Sequence, residues 1–192
     1  MTSPRLRNVL TMIHESLSER GIAHALIGAM ALALYGMPRY TADIDLLSEE
    51  RWRKDILGLM KESGFNCFQD AEAFAQFDSE SGAYGRIDFM FVHTDDGRAI
   101  LDRAIMVDDD SLGTISVVEP TDYAVLKLMA IANNPARENR DIADLEVLFK
   151  VVAAGFLPRI FKPIDVARLK DFAARFGVSD HLSALLPLLD TR

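Results

Sequence analysis

One cysteine, Cys67, stands in 192 residues, so no disulfide can form within the chain, a pattern that suits a reducing compartment. Basic side chains are also in deficit: 21 Lys and Arg against 29 Asp and Glu leave a formal net charge of −8. A protein that neutralises many phosphates of a polynucleotide usually presents a basic surface. Extended nucleic-acid binding is therefore not expected, whereas a small anionic substrate held through a cation is compatible with the charge. Long hydrophobic runs are missing. The longest, Ala25–Met37, is broken by Gly28 and Gly36 and falls short of the roughly 20 residues of a membrane-spanning helix. The first residues, MTSPRLRNVLTMIHESLSERG, carry Glu15 and Glu19 and lack the apolar centre of a signal peptide. The expectation is a cytoplasmic protein with no membrane partner. Internal repeats and low-complexity linkers are absent as well.

What is present is an ordinary globular composition, 49% hydrophobic and 26% charged, in a chain long enough for one core or for a domain with an appendage. Leu6, Val9, Leu10, Ile13 and Leu17 recur at helical spacing, predicting a helix over Pro4–Arg20 closed by Gly21. A short buried strand is expected at Ala23–Ile27, a helix at Ala29–Tyr35 ended by Gly36, and a strand at Ile44–Leu47. Ser48 is placed as the cap of a helix running to Ser63. Strands follow at Phe65–Phe68, Phe74–Phe77 and Arg86–Val92, with a turn at Asp96–Gly97, a short helix over Ile100–Ile105 and a last strand at Ile115–Val118. From Pro120 the pattern becomes helical: Pro120–Ala132, Arg137–Val152, Asp165–Phe176 and Asp180–Leu188. Two parts are expected, an α/β core over residues 1–119 and a helical region over 120–192 packed on it.

The chemistry concentrates in GAMALALYGMPRYTADIDLL, residues 28–47. Residues two apart in a strand face one side, so Asp43 and Asp45 point the same way, about 7 Å apart along the backbone. Two carboxylates brought to about 4 Å would repel by roughly 4 kcal/mol at an effective dielectric near 20. Such a pair calls for arginine, lysine or a divalent cation, and oxygen-only ligands suit Mg²⁺ or Mn²⁺. Asp88 lies within the apolar strand RIDFMFV, where an isolated carboxylate is costly unless paired or metal-bound. If that strand lies beside Ile44–Leu47, three carboxylates converge, a set able to hold two cations for phosphoryl or nucleotidyl displacement. A solvated strand end is the alternative for the D-x-D pair, and pairing with Arg86 or with backbone is the alternative for Asp88. Gly28, between strand and helix, lets a phosphate approach backbone amides. Arg39 and Thr41 either contact that phosphate or, for Arg39, neutralise the acids.

Taken together, LIGAMALALYGMPRYTADIDLL resembles the signature of the nucleotidyltransferase superfamily with the DNA-polymerase-β-like fold: strand, Gly-Ser or Gly-Gly, short helix, Gly-x-x-Arg-x-Thr, Asp-x-Asp. It is most similar to minimal bacterial nucleotidyltransferases and to AbiEii-type toxins of type IV toxin–antitoxin systems. RIDFMFV resembles the strand bearing the third carboxylate, and TDYAVLKLMAIANNPARENRDIADLEVL resembles the family's Leu-Lys-x-x-Ala … Arg-x-Lys-Asp-x-x-Asp-Leu helices. The resemblance spans about Ala23 to Leu148. It implies an α+β fold with a mixed-sheet core and a C-terminal helical region. It implies Mg²⁺ or Mn²⁺ held by Asp43, Asp45 and Asp88, with Asp88 drawing the acceptor's proton. It implies an NTP contacted by Gly28, Ala29, Arg39, Thr41 and Lys127, an unidentified hydroxyl acceptor, and an antitoxin-like protein partner.

The chain departs from that pattern at two places. Ala29 stands where Ser or Gly is usual, which removes a hydroxyl donor. In ENRD, Arg140 takes the lysine place and Glu138 the arginine place, with Arg137 one residue out of register, while Asp141 and Asp144 are kept as candidates for pairing with Arg140 or Lys127. The expected activity is transfer of a nucleoside monophosphate from an NTP to a hydroxyl of RNA, protein or a small molecule. Nucleotidylation of a cationic antibiotic and a degenerate, non-catalytic member are the alternatives. His14, His24 and His181 are scattered, His93 follows the Asp88 strand, and the lone Trp52 either touches a partner or covers core.

Overall fold

The computed structural model describes residues 4–38, 40–79, 85–110 and 112–190. The chain divides into two compact units, Met1–Ala31 with Pro38–Val118, and Leu32–Met37 with Glu119–Arg192. The first unit follows α1 (Pro4–Glu19), β1 (His24–Ile27), the start of α2 (Gly28–Leu34), β2 (Asp43–Glu49), α3 (Arg53–Glu62), β3 (Phe65–Ala71), β4 (Phe74–Ser79), β5 (Arg86–Val92), α4 (Asp95–Asp102), β6 (Ile105–Asp109) and β7 (Gly113–Val117). Its strands form one seven-stranded sheet in the order β3-β4-β5-β2-β1-β7-β6. β2 with β5 and β1 with β7 are parallel, and the other pairs are antiparallel. The fold is α+β with a mixed sheet, as the sequence leads one to expect.

Alternation along the central strands separates core from site. In β5, Ile87, Phe89 and Phe91 are buried while Arg86, Asp88 and Met90 occupy the other face. In β2, Ile44 and Leu46 are wholly buried and Asp43 and Asp45 face the other way. The apolar face is locked by ring contacts such as Phe77 against Phe89, edge to face at 5.9 Å. In α1, Leu6, Val9, Leu10, Ile13 and Leu17 are all buried, the stripe that their spacing predicts.

Several boundaries differ from the sequence-based expectation. Ser48 does not cap a helix; it lies in β2, its hydroxyl donating to the Ala23 carbonyl at 2.7 Å, and α3 begins at Arg53 after a 3₁₀ turn over Glu50–Trp52. Trp52 is in that turn, with the Arg51 guanidinium 5.1 Å from its ring. The Asp96–Gly97 turn is instead the start of α4, capped by Thr94, whose hydroxyl accepts from the Gly97 amide at 3.2 Å. Ile105 leaves that helix and opens β6, because Ile105–Asp109 finds a partner in β7; long-range pairing outweighs local propensity there.

The second unit comprises α5 (Pro120–Asn133), α6 (Glu138–Ala153), α7 (Val166–Arg175) and α8 (Ser179–Leu185), with 3₁₀ turns at Pro135–Arg137 and Leu186–Leu189. The start of α5 is fixed by polar contacts. The Asp122 carboxylate, wholly buried, receives Arg168 of α7. The Thr121 hydroxyl accepts from the Asp165 amide at 3.0 Å, and Glu119 accepts from the Lys162 amide at 3.2 Å. Tyr35 packs edge to face on Tyr123 and Phe161 at 5.7 and 4.8 Å.

A histidine pair joins α1 to β1. His24 Nδ1 lies 2.8 Å from the Ile22 carbonyl and His24 Nε2 lies 2.7 Å from His14 Nδ1. A carbonyl only accepts, so His24 Nδ1 carries the proton, Nε2 accepts, and His14 Nδ1–H donates to it. Burial pushes His24 down to about 4, with the Ile22 carbonyl opposing and His14 adding to the fall. Burial also lowers His14, against the pull of Glu15. Unfolded histidines take their protons near pH 6.5 while the folded pair resists, so the unfolded state binds more protons and folding weakens as pH drops. This contribution is whole above about pH 6.5 and is lost on acidification towards pH 4. Urea unfolding at pH 7, 6 and 5 should show falling stability, and His24→Gln should flatten part of the slope; an unchanged slope in the variant would remove the pair as its source.

Candidate active site

Gly28 and Asp45 meet at the end of β1. Ile27, the last residue of that strand, is paired with Asp45 in the antiparallel register. Gly28 turns there with φ +66°, and a Cβ built on it would stand 2.0 Å from Asp45 Oδ2 and 2.8 Å from Asp45 Cβ. Two independent constraints thus demand glycine: the left-handed backbone and the carboxylate already filling the space. Ala29 follows in the first turn of α2 and is buried.

The parallel register of β2 with β5 sets Asp45 opposite Asp88 and Asp43 opposite Arg86. All three carboxylates therefore lie on one face of the sheet, half-buried. Thr41 contacts the backbone of Asp43. Its hydroxyl accepts from the Asp43 amide and lies at the same 3.1 Å from the Asp43 carbonyl, a local turn that fixes where β2 begins. The Arg86 guanidinium lies 5.2 Å from the Phe68 ring centroid. Arg39 lies outside the described residues, and His93 follows β5, its carbonyl accepting from Arg98 at 2.7 Å.

Gln76 is a contact that sequence reasoning missed. It stands opposite Asp88 in the β4–β5 register, and its Nε2 donates to Asp88 Oδ2 at 2.9 Å. Its signal in the sequence is slight, a polar residue alternating with Ala75 and Phe77, and only the pairing of β4 with β5 reveals what it faces.

Lys127 belongs to the second unit. Its ammonium is 2.7 Å from both Asp141 Oδ1 and Asp144 Oδ2. Asp141 is wholly buried and Asp144 nearly so. The Lys127 ammonium also lies 5.5 Å from the Tyr123 ring centroid. Arg137, out of register with the family pattern, reaches the same acid: Nε is 3.9 Å from Asp141 Oδ2, one helical turn away. Glu138 instead meets His181 Nε2 at 3.0 Å.

Among the described residues, no three His, Cys, Asp or Glu side chains stand in position to hold an ion together; the three carboxylates line one face of two neighbouring strands. Their chemistry fits a hard divalent cation, which favours oxygen donors and keeps several ligand positions for water or substrate phosphate. No helix among the described residues is long and apolar enough to cross a membrane.

Residues 12–190 match the sequence profile described as "Nucleotidyl transferase AbiEii toxin, Type IV TA system". No curated protein matches the chain. Among solved structures, an antigenic nucleotidyltransferase-like protein from Paracoccidioides brasiliensis is similar at TM-score 0.59 and 15% identity, with 100% of this chain and 95% of that one covered. A nucleotidyltransferase from Thermotoga maritima reaches TM-score 0.53 at 20% identity, over 73% of this chain and 94% of that one. The antibiotic-resistance factor ANT(2'')-Ia reaches 0.63 at 12% identity, over 93% and 96%. At these identities the likeness is one of fold.

Two substitutions test the packing just described. Gly28→Ala forces a β-carbon into the Asp45 carboxylate at a left-handed backbone position and should cost more than about 1 kcal/mol in chemical denaturation; a neutral result would mean that neither the backbone nor Asp45 constrains this position. Lys127→Met leaves Asp141 and Asp144 buried without their cation, and should cost about 3–5 kcal/mol in the same measurement. A loss below about 1 kcal/mol, the range of exposed pairs, would show that water compensates these acids.

Proposed function

Because the chain belongs to the AbiEii nucleotidyl transferase toxin family of type IV toxin–antitoxin systems, and is a nucleotidyltransferase, we propose that it moves a nucleoside monophosphate from an NTP to a hydroxyl acceptor with release of pyrophosphate. The observation that carries this reading is the register that sets Asp45 beside Asp88, with Asp43 on the same face and Gly28 beneath Asp45.

In the proposed reaction the acceptor oxygen attacks the α-phosphorus. The bond to the bridging oxygen breaks, pyrophosphate leaves, and the acceptor's proton passes to Asp88. Asp43, Asp45 and Asp88 would hold Mg²⁺ or Mn²⁺, which when bound supplies charge neutralisation for the phosphates and the attacking oxygen. The side-chain space at Gly28 is taken by the Asp45 carboxylate, so the backbone amides of Gly28 and Ala29 are assigned to the phosphate on the family resemblance. Ala29 offers no hydroxyl, so backbone contacts carry more of the work there. Thr41 serves this chemistry by fixing the start of β2 and hence Asp43. Arg39 and Lys127 are assigned to the nucleotide on the family resemblance alone. The protein's contribution is positioning and preorganised charge, the main requirements of phosphoryl-type transfer. An antitoxin-like protein is the proposed partner.

The Ala29 departure favours one competing reading, a member that binds nucleotide without turning it over. Incubation with each labelled NTP, with and without Mg²⁺, separates the two. Metal-dependent binding and transfer of label to an RNA, protein or small-molecule acceptor is expected, and Asp45→Asn should reduce transfer by about a thousandfold while leaving the melting temperature near that of the parent. Binding indifferent to Mg²⁺, with no label transferred, would establish the non-catalytic reading. Full transfer by Asp45→Asn would overturn the assignment of the acids.

A further inference from the structure

We infer that Gln76 is a positioning residue for the third carboxylate: by holding one oxygen of Asp88 it sets the plane in which that carboxylate meets a divalent cation. The inference rests on the assignment of Asp88 to the metal site and extends that site to a neighbouring strand, β4.

The geometry begins with the backbone. Gln76 and Asp88 are directly paired across β4 and β5, and directly opposed antiparallel residues keep their β-carbons about 5 Å apart. Neither strand can slide. Ala75 and Phe77 flank Gln76 and are wholly buried, as are Ile87 and Phe89 on either side of Asp88. A one-residue slip of either strand would turn its two apolar side chains to the open face and its polar one into the core. The Phe77–Phe89 ring contact lies beneath the pair. Gln76 therefore has its direction fixed by core packing.

The contact itself has one chemical sense. An ionised carboxylate only accepts, so the amide nitrogen of Gln76 faces it. Nε2 donates to Asp88 Oδ2 at 2.9 Å. An aspartate side chain has two torsions, and a donor held on one oxygen restricts both. The donor leaves capacity for an ion, since a carboxylate offers about four lone-pair sites. A lysine or arginine in this place would supply a competing charge; an amide orients without neutralising. Partners that orient metal ligands in this way usually change metal affinity or activity by about 10- to 100-fold when lost.

The test is titration of the full chain with Mn²⁺ in the presence of a non-hydrolysable NTP analogue, so that no acceptor is needed. Gln76→Met keeps the length and removes the donor, and Gln76→Ala leaves no side chain to be misplaced. Both should weaken Mn²⁺ binding by about 10- to 100-fold, with metal-free melting temperatures close to the parent's. Asp88→Asn is measured in parallel. If Asp88→Asn weakens Mn²⁺ binding and both Gln76 variants leave it unchanged, Gln76 has no positioning role and the inference falls alone. The same holds if the Gln76 variants lower the metal-free melting temperature without altering Mn²⁺ affinity, which is the signature of a purely structural contact. If Asp88→Asn itself binds Mn²⁺ as the parent does, the metal assignment of Asp88 falls, and the inference with it.

Discussion

The Asp45 carboxylate occupies the space where a side chain at residue 28 would begin. That one close approach ties together the end of β1, the turn into α2 and the acid-bearing strand β2. It requires a glycine with positive φ, and it requires β1 and β2 to pair with Ile27 opposite Asp45. Once that register is set, β5 adds Asp88 beside Asp45 through the parallel pairing, and β4 adds Gln76 beside Asp88. The polar face of the sheet is thus assembled strand by strand from a contact of a few ångströms at Gly28.

The opposite face bears the cost of this arrangement. Half-buried carboxylates side by side repel, and such a cluster persists only where packing fixes it. Ile44, Leu46, Ile87 and Phe89 alternate with the acids and are all wholly buried. Asp45 and Asp88 are therefore each bracketed by residues that cannot leave the core. The second unit handles acidic charge differently. Asp122, Asp141 and Asp144 are buried with cations supplied by Arg168 and Lys127. Removing one partner there leaves an uncompensated buried charge, so these pairs constrain the helices strongly whatever their net contribution to stability.

Membership of a nucleotidyltransferase family is shown over residues 12–190. The departures from the family pattern have local structural accounts. Arg137, one residue out of place, comes to 3.9 Å from Asp141 because residues four apart on a helix are neighbours. Glu138, in place of an arginine, meets His181 instead. Ala29 simply lacks a donor.

The sequence by itself determined a good deal. Period two in the D-I-D strand put Asp43 and Asp45 on one side, and Asp88 stood out as the isolated acid of the apolar RIDFMFV. Gly28 marked the junction of strand and helix, and the order of the motif around it pointed to the family. Helical spacing located α1 and the helices from Pro120 onward. What only the tertiary structure decided were the pairings. Ile105–Asp109 became a strand, and Ser48 a strand residue rather than a cap, because partners distant in sequence satisfied their backbones. Gln76 meets Asp88 because β4 lies against β5, and Lys127 acquired two carboxylates because α6 packs on α5. Local pattern records which side of an element is buried; it carries no record of which neighbour a polar side chain meets, since that depends on contacts between residues far apart in the chain.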